Sequence, residues 1–483
     1  MENLFKKKSI PSLIKESTEG EHTLSKSLST FSLVMLGVGV IIGAGLFSIT
    51  GIAARDYAGP AVTISFLIAA IGCGFAALCY AEFSTMIPVA GSAYTYSYAT
   101  LGELVAWIIG WDLVLEYAVG AAIVSISWSS YFLKLLQYYD IFLPVSLCTS
   151  IFDTNVSGDG TVYHGFVNLP ALFIVVAVSI LLIRGVKEAS WVNTVIVILK
   201  MAVILIFLTL GWAYINTANY HPYIPDNVGH FGEFGWSGII RAAAVIFFAF
   251  IGFDAISTAA QESQNPSKSM PIAIFASLAI CTILYILFAH VITGMVNYKD
   301  FSRTNEMAPA IIAIQQMPQL WLGKLVSVAV LFGYTSVILV MLMGQSRVFY
   351  SMSKDGLLPK IFSDVHPKYK TPWKSNLLFM IFVGLIAGFV PPKIVLEMTS
   401  IGTLLAFVIV CVGVIVLRKT MPDMPRIFKT PLVPFVPIAG IVFCAGMMCF
   451  LRWETWVRLF IWMAVGFVIY FLYSRKKSKL NKE

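Results

Sequence analysis

Apolar residues in this chain gather into long runs rather than alternating stripes, and polar residues gather in the short stretches between them. A helix that crosses a bilayer needs about 20 mostly apolar residues. Twelve such runs cover residues 31–56, 60–87, 101–134, 167–184, 190–216, 237–260, 271–296, 320–352, 375–391, 394–418, 432–450 and 454–474. The pattern predicts an all-α integral membrane protein with twelve transmembrane helices. The longest polar connections, 140–168 and 220–236, are too short for a separate soluble domain.

Composition supports the same class. Hydrophobic residues make up 58% of the 483 positions and charged residues 12%, about half the charge of a soluble globular chain. Disorder is excluded, because disordered chains are poor in apolar residues. The net charge is +8, but the excess sits in short connections and tails, where membrane topology explains it without nucleic acid. Lys6, Lys7, Lys8, Lys15, Lys26, Arg184, Lys187 and Lys268 fall on one side, as do Arg347, Lys354, Lys360, Lys368, Lys370 and Lys374. Arg418, Lys419, Arg426, Lys429, Arg475, Lys476, Lys477, Lys479 and Lys482 join them. Both termini are therefore expected in the cytoplasm. Six of the seven cysteines lie inside apolar runs and only Cys148 in a polar connection, so no disulfide framework is expected. The first thirty residues are polar and charged, unlike a secretory signal.

Two runs carry a defect near mid-depth. The first contains Gly37, Gly39, Gly43 and Gly45. The sixth contains Phe247-Phe248-Ala249-Phe250-Ile251-Gly252-Phe253-Asp254. Glycine weakens a helix interior, and unwound backbone in lipid must face protein or water. Runs one and six open two five-run sets, 31–216 and 237–418, flanked by an N-terminal segment (1–30), two further helices (432–474) and a tail (475–483). Paired interrupted helices at matching places point to a secondary transporter with inverted repeats. Half-helix N-termini suit a carboxylate, and freed carbonyls suit an ammonium, so a zwitterionic amino acid fits between two such breaks. The plainer reading treats the glycines of run one as packing positions.

The stretch Val40-Ile41-Ile42-Gly43-Ala44-Gly45-Leu46-Phe47 resembles the first-helix motif of the amino acid–polyamine–organocation transporters. Residues 80–98, Gly110-Trp111 through Leu115-Glu116-Tyr117, Gly344–Tyr350 continuing to Lys354–Pro359, and Ser400–Phe407 narrow the resemblance to the bacterial branch of the cationic amino acid transporter family, over residues 25–475. The resemblance implies a LeuT-type core of two inverted five-helix repeats with helices 1 and 6 broken, two peripheral helices, and a place in a bacterial inner membrane. It also implies a site. Ile42, Gly43, Ala44 and Gly45 would hold a substrate carboxylate by backbone N–H. Phe248, Ala249 and Ile251 would offer carbonyls to its amine, with Phe248 as an aromatic gate.

Ionisable residues inside a span are functional candidates by default. Lys200 stands alone in the fifth run, with no acid within one turn. Sodium-coupled relatives of the fold place a cation between helices 1, 5 and 8; a fixed ammonium there would replace it and exchange protons. The plainer reading is a lysine bonded to freed carbonyls. Glu116 shares a helix face with Asp112 and could carry a proton; Asp254 could relay protons or cap a half-helix. Glu82, Asp355 and Arg347 are expected in inner-end contacts, and His290 in packing. Met341 in the eighth run stands where the animal cationic transporters are similar in sequence but carry a serine. Its apolar side chain would shorten the pocket and leave a basic head group unsolvated. The expected activity is proton-coupled symport of small neutral L-amino acids such as alanine, with cationic amino acids as the alternative. The expected partners are the amino acid, the proton and the bilayer, with no cofactor or metal. No HExxH, GxSxG or Walker A pattern occurs, which disfavours an enzyme, and the apolar runs lack the continuous polar face of a channel; a channel or membrane receptor is the remote alternative.

Overall fold

The computed structural model describes residues 2–13, 28–43, 45–89, 91–152, 154–156, 162–184, 189–258, 260, 263–302, 309–318, 320–369 and 371–480. Ala44 of the expected carboxylate site lies outside the described residues, as do Lys15, Lys26, Lys187, Lys370 and Lys482.

Helix α1 (Thr30–Ile41) starts on Ser29, whose side chain accepts the Ser32 N–H at 3.2 Å. It ends at Ile42. Helical winding resumes over residues 45–58 (α2), with π-type turns at Gly45–Ile49 and Ala54–Ala58. The chain reverses at Gly59, whose φ of +59° suits glycine, into α3 (Val62–Met86). A short tyrosine-rich helix, α4 (Ser92–Thr100), is wholly buried before α5 (Glu103–Gln137) begins. The 140–168 connection is not purely irregular. It holds an antiparallel hairpin of β1 (Thr154–Val156) and β2 (Val162–His164), with Thr154 opposite His164.

Two more helices complete the first set: α6 (Leu169–Arg184) and α7 (Ala189–Gly211). Next, α8 (Gly235–Ile246) passes into a 3₁₀ turn at Phe247–Phe250, opens at Ile251–Gly252, and resumes as α9 (Phe253–Thr258). The long helices α10 (Pro266–Met295) and α11 (Leu320–Lys354) follow. After them come α12 (Trp373–Phe389), α13 (Pro392–Thr420), α14 (Phe435–Cys449) and α15 (Trp453–Ile469).

Among the described residues, eight stretches are long and apolar enough to cross a membrane. One of them, Thr30–Met86, contains both the break and the reversal; α6, α12 and α14 are shorter apolar helices. Packing follows a regular scheme. α3 lies on α10, α5 on α11, and α6 on α12. α1 packs on α10 and α7, while α8 packs on α3 and α13. α15 is fastened to α5 by stacked tryptophans. Trp111 and Trp462 have ring centroids 4.6 Å apart, and each indole N–H donates to the other residue's carbonyl, at 2.9 and 3.2 Å.

One end of the bundle is pinned by Glu82, fully buried at the foot of α3. Its carboxylate accepts from Arg418 at 2.8 and 2.9 Å, from Arg426 at 3.1 Å and from the Thr430 N–H at 2.8 Å. Nearby, Asp355 accepts from Lys8 at 3.0 Å and from the Tyr94 hydroxyl at 2.7 Å, tying residues near the N-terminus to the end of α11. Removing one member of a buried pair leaves the other charge uncompensated, at a cost of about 3–5 kcal/mol. Glu82→Ala is therefore expected to lower the thermal unfolding midpoint of the purified protein by several degrees. An unchanged midpoint would mean that Glu82 does not hold this end of the bundle together.

Candidate functional site

The broken end of α1 leaves orphan backbone groups, as every helix terminus does. Ile42 closes the half-helix by donating its N–H to the Val38 carbonyl at 3.0 Å. The Ile42 N–H is thus already engaged, unlike the sequence expectation. Gly43 and Gly45 follow it within the break, and the Gly43 carbonyl accepts the N–H groups of Leu46 and Phe47 at 3.2 and 3.4 Å. The orphan carbonyls on the other side of the break are taken by two side chains. Lys200, 1% exposed, donates from Nζ to Gly39 O at 2.9 Å and to Ile42 O at 2.5 Å. The Tyr285 hydroxyl, from mid-α10, lies 2.6 Å from Ile41 O. Lys200 reaches α1 from α7 past α11, where Gly333 makes room: a Cβ there would meet the lysine Cδ at 2.8 Å.

The second break faces the first. A Cβ on Gly45 would sit 2.3 Å from both Cα and Cβ of Ala249, so only a glycine allows the two interrupted segments to touch. Gly252, at φ +116°, lies against Val40 in the same way. Within this break the Phe248 carbonyl accepts the Ile251 N–H at 3.1 Å. The Ala249 carbonyl lies 2.7 Å from the Tyr285 hydroxyl. A carbonyl has two lone pairs, so both oxygens keep capacity for a further donor. The Phe248 ring is buried.

Asp254 sits at the start of α9. One carboxylate oxygen accepts the Gly252 N–H at 3.3 Å and the other accepts the Tyr117 hydroxyl at 2.5 Å. It therefore caps a half-helix, and it also stands beside Glu116. Glu116 lies in a π-type turn, Leu115–Val119, and neither of its carboxyl oxygens makes a hydrogen bond of good geometry; the same holds for Asp112. π-type turns inside α-helices often occur at functional sites. Lys200 forms no ion pair with these acids, so the buried cation and the buried acids are separate groups. Met341 of α11 is buried against α5: a Cβ on Gly120 would lie 3.3 Å from its Sδ and 3.5 Å from Cγ2 of Thr399. Met341 thus lays an apolar side chain against α5. Tyr285 is not among the residues that the sequence singles out. Its only signal there is a hydroxyl at the middle of an apolar run, which must find a partner once buried.

The amino acid permease family matches residues 28–471. The chain belongs to that family. This permease is 46% identical, over 480 residues and 99% of both chains, to the branched-chain amino acid permease BcaP of Bacillus subtilis. It is 42% identical over 482 residues, the whole of both chains, to the methylthioribose transporter of the same organism. It is 35% identical to the vacuolar cationic amino acid transporter 4 of Arabidopsis thaliana, over 88% of this chain and 68% of that one. The permease is a bacterial-type member of the amino acid–polyamine–organocation superfamily and a multi-pass membrane amino acid transporter rather than an enzyme.

The contact between the breaks gives a prediction. Overpacking a tight contact costs about 1–3 kcal/mol, so Gly45→Ala is expected to weaken amino acid binding by about tenfold or more. Gly74→Ala is the control, since a Cβ there meets nothing within 4 Å and it should bind normally. Ligand-dependent thermal stabilisation of the two variants checks this; equal stabilisation would contradict the described contact.

Proposed function

We propose that the permease is a proton-coupled symporter of neutral aliphatic L-amino acids, from small ones such as alanine to the branched-chain ones. The observation that carries the reading is the meeting of the two breaks at Gly45 and Ala249, with carbonyls of spare acceptor capacity on the second. The substrate carboxylate is held by the N–H groups of Gly43 and Gly45, which follow Ile42. Its amine is held by the carbonyls of Ala249, Phe248 and Ile251, and the Phe248 ring gates the site. Backbone N–H groups at a half-helix start favour an anion.

In this reading the fold is the twelve-span, twice-five arrangement. Counting Thr30–Met86 as two spans and adding the three shorter helices gives that number. The pairing of α3 with α10, α5 with α11 and α6 with α12 supports two related sets. So does the correspondence between α1 on α10 and α8 on α3. Both termini lie in the cytoplasm, on the side where most of the basic residues gather. Coupling runs through Lys200, whose ammonium occupies carbonyls exposed by the first break, with Glu116 and Asp254 as further buried acids.

The side-chain pocket takes apolar groups because Met341 presents no partner for a charge, and burying an unpaired charge is prohibitive. The name of the Bacillus subtilis relative at 46% identity supports neutral, branched substrates. The resemblance to a cationic transporter keeps arginine and lysine as the alternative. A second reading, uptake of a neutral thiosugar, is favoured by the relative at 42% identity. A thiosugar offers the two breaks neither an ammonium nor a carboxylate.

Proteoliposomes with an imposed proton gradient test these assignments. Lys200→Ala is expected to lose gradient-driven accumulation of L-alanine; accumulation at the normal rate would remove Lys200 from coupling. Met341→Ser is expected to gain uptake of arginine and lysine, and a folded variant that takes up neither contradicts the pocket assignment. In competition assays, neutral L-amino acids should displace labelled alanine and methylthioribose should not.

A further inference from the structure

Tyr285 stands where the two breaks meet, is fully buried, and has two carbonyl oxygens within hydrogen-bonding distance, Ile41 at 2.6 Å and Ala249 at 2.7 Å. A phenol carries one hydrogen. Only one of the two carbonyls can receive it, and the other then faces a lone pair on the phenol oxygen. An unpaired buried acceptor is costly, so this oxygen is a place where an arriving donor is strongly favoured. The Ile41 carbonyl belongs to the half-helix end whose Gly39 and Ile42 carbonyls already hold Lys200. The Ala249 carbonyl belongs to the break assigned above to the substrate amine.

We infer that Tyr285 is a positioning residue that relays occupancy of the amine subsite to the helix-1 break and hence to Lys200. The inference rests on the reading that the amine is received at Ala249. With the subsite empty, the hydroxyl hydrogen is divided between the two carbonyls. A substrate ammonium that donates to Ala249 satisfies that oxygen and turns the hydroxyl wholly to Ile41. The C-terminal end of α1 is then held by Tyr285 at Ile41 and by Lys200 at Gly39 and Ile42. Substrate and the charge on Lys200 thereby act on one helix end without touching each other, which is a coupling between two sites through one shared element. Tyr285 touches neither the carboxylate subsite nor the side-chain pocket in this arrangement; its hydroxyl acts through Ala249 and Ile41.

The test compares Tyr285→Phe with the wild type in proteoliposomes, measuring alanine–alanine exchange without a gradient and accumulation with a proton gradient. Exchange is expected to fall by no more than about fivefold, the loss of one neutral hydrogen bond. Accumulation is expected to fall by about tenfold or more, within the usual range of coupling between sites. Equal loss of both activities, or loss of neither, overturns the relay. If the variant is not monodisperse after purification, the wild type decides instead by hydrogen exchange over residues 37–47 with isopropylamine, which has the amine but neither a carboxylate nor a hydroxyl. Slowed exchange there supports the relay, since isopropylamine has no acceptor for the Gly43 and Gly45 amides; unchanged exchange overturns it. A wild-type protein that accumulates no amino acid refutes the functional reading itself, whereas an active wild type with an indistinguishable variant refutes only the relay.

Discussion

Backbone polar groups cannot be left unpaired in the apolar interior of a membrane protein, and the first helix breaks that regularity at Ile42. Every feature of the site follows from how the resulting orphan groups are met. On the carbonyl side, an ammonium from α7 and a phenol from α10 supply the donors. On the amide side lie Gly43 and Gly45. In the proposed reading, a solute with a carboxylate and an ammonium would meet both sides of the break. Lys200 thus satisfies the broken helix from α7, and the proposed coupling acts through that same interaction.

Close approach is what lets two such breaks form one site. Gly45 against Ala249, Gly252 against Val40 and Gly333 against the Lys200 stem each leave no space for a side chain. Aromatic rings crowd the two segments, Phe47 against Phe288 and Tyr334, and Phe250 against Phe66 and Tyr285, and elsewhere Met341 is packed against Gly120. The acids Glu116 and Asp112 stand apart from Lys200 with carboxyl oxygens that find no hydrogen-bond donor of good geometry. The buried cation and these buried acids are not joined as an ion pair. At one end of the bundle, Glu82 and Asp355 join segments remote in sequence by charge-assisted bonds.

The apolar runs of the sequence foretell the helices closely, because length and continuity of apolar residues are a local property. The run at 320–352 forms Leu320–Lys354, and that at 167–184 forms Leu169–Arg184. Both breaks are marked by glycine at Gly43, Gly45 and Gly252, for the same local reason. The misses are all non-local. The α4 helix is polar and aromatic rather than apolar, so its complete burial comes from tertiary packing. The engagement of the Ile42 N–H depends on where α1 ends to within one residue, which no periodicity resolves. Glu82 finds Arg418 and Arg426 more than 330 positions away. Tyr285 gains its meaning only when α10 lies across both breaks. The hairpin at Thr154–His164 arises in a connection with no apolar run to announce it.

The central claim is that one solute bridges the two breaks by its charged ends. A structure of the permease with a neutral amino acid bound tests it most directly. The predicted result is a carboxylate within hydrogen-bonding distance of the Gly43 and Gly45 amides and an amine at the Ala249 carbonyl, with Lys200 still on Gly39 and Ile42. A solute seated elsewhere, or first and sixth helices that run unbroken through Gly43 and Gly252, would contradict it.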